Sequence, residues 1–389
     1  MSGVQTRLLP PLGWLVLGTA LGLTGVGLAA VLGGELGTGP PAQTLRQGGH
    51  LLIGLLGAAV IQVVGYRRIG RYAYFGFGLV LVLLTLLLVA RKVPLQPFIQ
   101  PRRSTYRWII LGPVNIQVSE YAKVVYILAL AYYLRFRTNY RTLRGLLMPF
   151  VLTLVPVALI LKEPDLGTSL LLLPTLFLML YAAGARRRHL LLIIGLGLAA
   201  GPALYYSPLM NPYQRERIQA LMVPEDDPRW RLGPGYQVHQ SMVAIGSGQA
   251  LGRGLRQGAF FRHDLLPEEH NDFIFAVIAH QWGYAGALAV LAAYVVIIAA
   301  GLTIASSTTD PFGRLLAVGV CALVFAQTII NVGMTIRLMP VTGMTLPFVS
   351  MGGSGLITNY LAIGLLIDVA RRRPPDLARK PFEFDDAEA

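Results

Sequence analysis

Long apolar runs separated by short polar stretches dominate the chain, falling near residues 12–33, 48–65, 72–90, 119–136, 145–161, 167–184, 189–207, 273–300, 312–336 and 353–370. A hydrocarbon core about 30 Å thick is crossed by roughly 20 apolar residues in a helix. The pattern therefore predicts an all-α integral membrane protein with about ten transmembrane helices. Strand-like alternation bounded by turns is absent, which argues against a barrel. The longest polar interval, 207–271, lies between runs seven and eight. No stretch is polar enough over sufficient length to fold as a separate soluble domain, so residues 1–373 read as one polytopic unit. Residues 374–389, rich in Pro and acidic side chains, read as a disordered tail.

The placement of basic residues orients this bundle. Arg67, Arg68 and Arg71 follow run two, Arg135, Arg137, Arg141 and Arg144 follow run four, Arg186 to Arg188 follow run six, and Arg371 to Arg373 follow run ten. Arg and Lys accumulate on the cytoplasmic side of short loops. Clusters after even-numbered helices thus place both termini and the tail in the cytoplasm, and the 207–271 loop outside. Arg91, Lys92, Arg102, Arg103 and Arg107 break the rule by following run three. They fit a miscounted helix, a statistical exception to the rule, or a cationic rim for an anionic lipid headgroup.

Composition agrees with a lipid environment. Of 389 residues 54% are hydrophobic and 13% charged, with a mean hydropathy of +0.58, whereas soluble domains carry about 25% charged residues. The net charge of +14 is punctuation between apolar runs and forms no basic stripe with interleaved aromatics, so nucleic acid is excluded as a partner. The lone Cys321 permits no intramolecular disulfide. The first run is long for a signal-peptide core and lacks a convincing cleavage site, so it is expected to be a retained helix.

Ionisable groups in or beside membrane helices cost several kcal/mol unless paired or facing a cavity, which makes each a candidate site residue. Glu120 and Lys123 are three apart and share a helical face. By spacing alone they read first as a neutralising ion pair, with Ser119 as helix N-cap. In Lys162-Glu163-Pro164-Asp165-Leu166-Gly167-Thr168, Pro164 and Gly167 break the helix and leave two carboxylates between runs. Asp165 is a natural cap for the next helix, and clustered carboxylates also suit a divalent cation. The third place is the long loop, with Arg215, several glycines, Asp264, Glu268 and Asp272. Loops longer than about 15 residues are usually functional or disordered. Here spacing favours Asp272 or Asn271 as N-cap of run eight.

These places occur in the order and spacing of the SEDS family of cell-wall glycan polymerases, which includes RodA, FtsW and SpoVE. Gln117 to Lys123 resembles the family's Gln-Pro-Ser-Glu-x-x-Lys pattern, Lys162 to Thr168 its Pro-Asp-x-Gly motif, and His270-Asn271-Asp272-Phe273 its His-x-Asp-Phe motif. Asn331-Val332-Gly333 and the stretch Leu338 to Gly355 resemble its signature. Departures occur at Val118, Met351, Gly355 and Arg337, the last standing where Gly or Thr is commoner. The departures are expected to alter packing more than chemistry.

The resemblance implies a peptidoglycan glycosyltransferase that polymerises lipid II at the outer face of the bacterial cytoplasmic membrane, in elongation or division, with a class B penicillin-binding protein as partner. It implies Asp272 as catalytic base. Partial burial would raise the pKa of such a base, whereas a capping role would lower it. Glu120, Lys123, Asp165 and Arg215 are substrate-binding candidates, Lys123 facing the leaving diphosphate, with Asp264 and Glu268 as secondary acids. Arg102, Arg103 and Arg107 are further candidates to meet that diphosphate. Gly352 and Gly353 are expected to allow close approach or positive φ. No cofactor is certain, a divalent cation being one possibility. A lipid II flippase and a non-enzymatic scaffold of the cell-wall machinery are the alternatives. The flippase would need cationic groups along a continuous path through the bilayer, while the scaffold would tolerate loss of Asp272.

Overall fold

The computed structural model describes residues 10–35, 41–93, 99–100, 105–111, 114–137, 139–207, 210, 212–223, 227–233, 235–254 and 271–372. Each apolar run forms a helix. In chain order these are α1 (Pro11–Glu35), α2 (Ala42–Val64), the short α3 (Tyr66–Arg71), α4 (Ala73–Val89), α5 (Val118–Leu134), α6 (Leu143–Lys162), α7 (Leu166–Ala183) and α8 (Arg187–Tyr206). Among the described residues, the interval after α8 forms three short helices, α9 (Pro212–Met222), α10 (Pro228–Leu232) and α11 (Tyr236–Ser247). The bundle closes with α12 (Ile274–Ser306), α13 (Pro311–Thr335) and α14 (Gly353–Arg371). Seven of these helices are long and apolar enough to cross a membrane, and Ala73–Val89 is a shorter apolar helix.

The chain is therefore a multi-pass membrane protein. Its outward side chains include Leu52, Phe75, Val82, Leu147 and Val295, all exposed on the bundle surface. Such a surface is stable only against lipid, where helices are the natural solution because each satisfies its own backbone polar groups. Helices α13 and α14 are the most enclosed, and α2 lies along α14. Their approach depends on small residues, as a Cβ built on Gly364 would lie 2.9 Å from the Ala58 Cα. Close packing of this kind drives helix association where no hydrophobic difference from solvent exists.

One strand pair was not visible in the hydrophobic pattern. β1 (Trp108–Leu111) and β2 (Val114–Gln117) pair antiparallel with Trp108 opposite Gln117, and β2 runs directly into α5. The hairpin fixes the start of α5 at Val118, with Gln117 in the cap position. Ser119 is thus already helical, and the capping role expected of it is not taken up.

The other unexpected feature is a break in α12. At Gly283 the backbone turns to φ 68, ψ −165, separating 274–281 from the remainder. The interruption leaves carbonyls and amides without helical partners, a costly situation inside protein or lipid. The glycine-rich segment after α11 supplies them. The amides of Arg253 and Gly254 donate to the carbonyls of His280 and Gln281, while those of Tyr284 and Ala285 donate to the carbonyls of Gln249 and Ala250. A Cβ on Gly252, itself at φ +86, would sit 2.2 Å from the Gln281 carbonyl oxygen.

Polar groups collect at the two ends of the bundle. At one end Asp368 accepts from the Tyr66 amide at 2.7 Å and from Arg372 Nε at 2.8 Å. There Arg372 also donates to the Gln62 carbonyl, and Tyr66 donates to Asp310. These bonds tie the ends of α2, α3 and α14 to the start of α13. The other end holds the candidate site.

Candidate functional site

The first turns of α5 present Glu120 and Lys123 inward. Lys123 Nζ lies 2.6 Å from Glu120 Oε2, and both side chains are almost fully buried. The i, i+3 spacing brings them together, and burial makes the pairing obligatory, because either charge alone would be stranded. The pair is tied to two other elements. Gln327 of α13 accepts from Lys123 at 3.4 Å and donates at 2.8 Å to the Thr345 carbonyl, in the loop joining α13 to α14. Thr358 of α14 approaches Glu120 Oε2 at 3.4 Å. Gly355 keeps this space open, since a Cβ there would come within 3.3 Å of Glu120 Oε2.

Asp165 caps α7 by accepting from the Thr168 amide at 3.1 Å, as its position suggested. Its Oδ2 also accepts from Thr168 Oγ1 and, at 2.9 Å, from Ser119 Oγ. Ser119 thus clasps α5 to the α6–α7 turn. The same turn is held by Arg107, which donates to the carbonyls of Glu163 and Pro164, and by Arg91, which donates to that of Lys162. The two described members of the anomalous basic cluster with side-chain contacts are therefore placed at this end of the bundle. Arg102 and Arg103 lie outside the described residues.

Glu163 is 2% exposed and both carboxyl oxygens lack hydrogen-bond partners. Burial pushes its pKa up to about 8, with Asp165 raising it further and Arg107 and Arg91 opposing. The sequence marked it only as one of two carboxylates at the helix break and gave it no site role of its own. Its signal was present, since a carboxylate next to Asp165 at a helix break has little room to stay solvated and apart.

Asp272 enters from the start of α12. The cap position falls on Phe273, so neither Asp272 nor Asn271 stands at the cap position that spacing favoured. Instead Asn331 of α13 donates to the Asp272 carbonyl at 2.9 Å and to the Met344 carbonyl at 2.6 Å. One side chain thus joins the Asp272 backbone to the α13–α14 loop. In that loop Gly343 takes φ +70, and a Cβ built on it would meet Asp272 Oδ2 at 3.4 Å and Arg217 Nη1 at 3.9 Å. Gly343, rather than Gly352 or Gly353, holds the left-handed backbone. Gly352 is extended, and Gly353 instead allows close approach, a Cβ there lying 2.6 Å from His50 Nε2.

Arg215 is turned to its own segment, donating to the carbonyls of Tyr205 and Ser207 and lying over the Tyr205 ring. Its neighbour Arg217, two residues on, reaches the Val341 carbonyl at 2.6 Å. Arg337 has φ +62, which explains why Gly is the commoner residue at such a position. Its guanidinium donates to the Val223 carbonyl and lies 4.2 Å from the Trp230 ring centroid, binding the α13–α14 loop to the α9–α10 segment. Asp264 and Glu268 lie outside the described residues. Among the described residues no group of three or more His, Cys, Asp or Glu is arranged to hold a metal ion.

Fold and site together define a polytopic membrane protein with buried polar groups at both ends of the bundle, Glu120, Lys123, Asp165 and Asp272 gathering at one of them. Residues 14–374 match the cell cycle protein family of FtsW, RodA and SpoVE, and the chain belongs to it. The peptidoglycan glycosyltransferase MrdB of Escherichia coli is 35% identical over 82% of this chain and 85% of its own. A probable peptidoglycan glycosyltransferase FtsW of Nitrosococcus halophilus is 37% identical over 94% of each. Among solved structures, a chain of a peptidoglycan synthase complex that coordinates polymerization and crosslinking superposes with a TM-score of 0.77 at 30% identity, covering 93% of this chain and 98% of that one. The rod shape determining protein RodA of Thermus thermophilus gives 0.67 at 28% identity, with the same coverage.

Proposed function

We propose that this protein is a peptidoglycan glycosyltransferase that polymerises lipid II, with Asp272 as general base. The observation that carries this reading is the placement of Asp272. Its backbone is pinned by Asn331, and its carboxylate lies against Gly343, one residue ahead of the α12 cap position. A carboxylate held in that way is oriented for a reacting hydroxyl, and such preorganisation is worth orders of magnitude in rate. In the reaction the 4-hydroxyl of an acceptor GlcNAc loses its proton to Asp272 and attacks the anomeric carbon of a donor MurNAc, and undecaprenyl diphosphate departs. Lys123, oriented by Glu120, offers positive charge for the diphosphate, and Asp165 lines the same end.

On this reading the chain has ten spans and cytoplasmic termini, and the site end faces outward from the cytoplasmic membrane. A class B penicillin-binding protein cross-links the product. The interior favours chemistry at one face over passage through the bilayer. Lys123 lies near the site end, Arg67 and Arg372 lie at the other, and the helices between carry the buried apolar Leu130, Leu176 and Val320.

The test is polymerisation of purified lipid II by wild type and Asp272→Ala at equal folded yield, with and without the penicillin-binding protein, and with Mg²⁺ supplied or withheld. Glycan strands from wild type and none from the variant are expected. Equal activity of the two would remove Asp272 from the mechanism, and absence of product under every condition would leave transport or scaffolding.

A further inference from the structure

Resting on the polymerase reading, we infer that Arg217 is a positioning residue for Asp272, fixing both the Gly343 segment and the charge environment in which the carboxylate works. Three observations on different elements meet here. Arg217 projects from α9, and its Nη1 donates to the Val341 carbonyl at 2.6 Å, holding the Pro340 to Gly343 turn from the loop side. Asn331 holds the far side of the same turn through the Met344 carbonyl while pinning the Asp272 carbonyl. Between these anchors, a Cβ built on Gly343 would lie 3.4 Å from Asp272 Oδ2 and 3.9 Å from Arg217 Nη1, so both atoms border the same backbone position. The guanidinium and the carboxylate therefore flank a backbone position that has no side chain to separate them.

Arg217 thus serves as a strut, whose hydrogen bond sets where Gly343 lies, and as a fixed positive charge facing the acid. It differs from Arg215, which donates to the carbonyls of its own segment. The geometry thereby makes α9 a part of the active site. Movement of α9 away from the bundle would withdraw the strut and leave the base misplaced.

The experiment compares wild type, Arg217→Lys, Arg217→Ala, Asp272→Ala and the exposed control Gln219→Ala in steady-state lipid II polymerisation, each checked for monodispersity and thermal midpoint in detergent. Loss of oriented placement costs about 10²-fold in rate, so Arg217→Ala is expected to lose that much in kcat with KM within a few-fold of wild type. Arg217→Lys should recover part of the loss, and added guanidinium chloride at non-denaturing concentration should restore activity to Arg217→Ala but not to Asp272→Ala. Unchanged kcat in a folded Arg217→Ala overturns the inference. So does a loss confined to KM, which would make Arg217 a substrate ligand, or a loss that neither Lys nor guanidinium relieves, which would make it structural. If wild type forms no glycan, the polymerase reading itself fails, and the Arg217 comparison is not what decides it.

Discussion

Lys123 Nζ and Glu120 Oε2 stand 2.6 Å apart in the first turns of α5, buried among α5, α13 and α14. At this depth the pair cannot exchange its partner for water. Removing one member strands the other, at a cost of about 3–5 kcal/mol, whereas replacing both by uncharged groups of similar size is often close to neutral. Lys123→Met and Glu120→Gln are each expected to lower the thermal midpoint sharply, and the double variant to regain much of the loss. A double-variant cycle in detergent measures this. Polymerisation should stay abolished in the double variant if Lys123 meets the diphosphate, which separates the structural role from the chemical one.

Glu163 predicts a pH dependence of opposite sense to that of a salt-bridged acid. Its folded-state pKa, pushed up to about 8 from 4.5, means that the folded protein holds a proton the unfolded chain has released. Stability therefore falls as pH rises from about 4.5 to about 8, by up to about 1.4 kcal/mol per unit, and levels off above. Glu163→Gln should flatten that slope, raising the thermal midpoint at pH above about 8 and leaving it little changed near pH 5. A variant with the wild-type slope would show that Glu163 is not the titrating group.

Gly252 tests the interrupted α12. An alanine there meets the Gln281 carbonyl and must also take φ +86, which alone costs about 1–2 kcal/mol. The segment that satisfies the broken helix would have to withdraw, exposing the carbonyls of His280 and Gln281. Gly252→Ala is expected to reduce folded yield and thermal midpoint far more than Gln249→Ala, whose φ of 53 already carries a side chain. Parallel expression and melting of the two variants decide it.

The hydrophobic pattern by itself determined that the chain is helical and membrane-embedded, because only helices satisfy their backbone within a single apolar run. It also placed every long helix, from α1 to α14, to within six residues at either end, the start of α2 and the end of α12 being furthest off. Spacing likewise sufficed for Glu120 with Lys123 and for Asp165 with Thr168, since partners three residues apart on a helix or its cap meet whatever the rest of the fold does. Tertiary structure alone decided the remainder. Ser119 finds Asp165, Gln327 finds Lys123 and Thr345, and Arg217 approaches Asp272 only once α5, α7, α9, α12 and α13 have packed. The break at Gly283 was hidden for the same reason. A glycine in an apolar run reads as helix until another segment, here 249–254, offers the hydrogen bonds that offset breaking it.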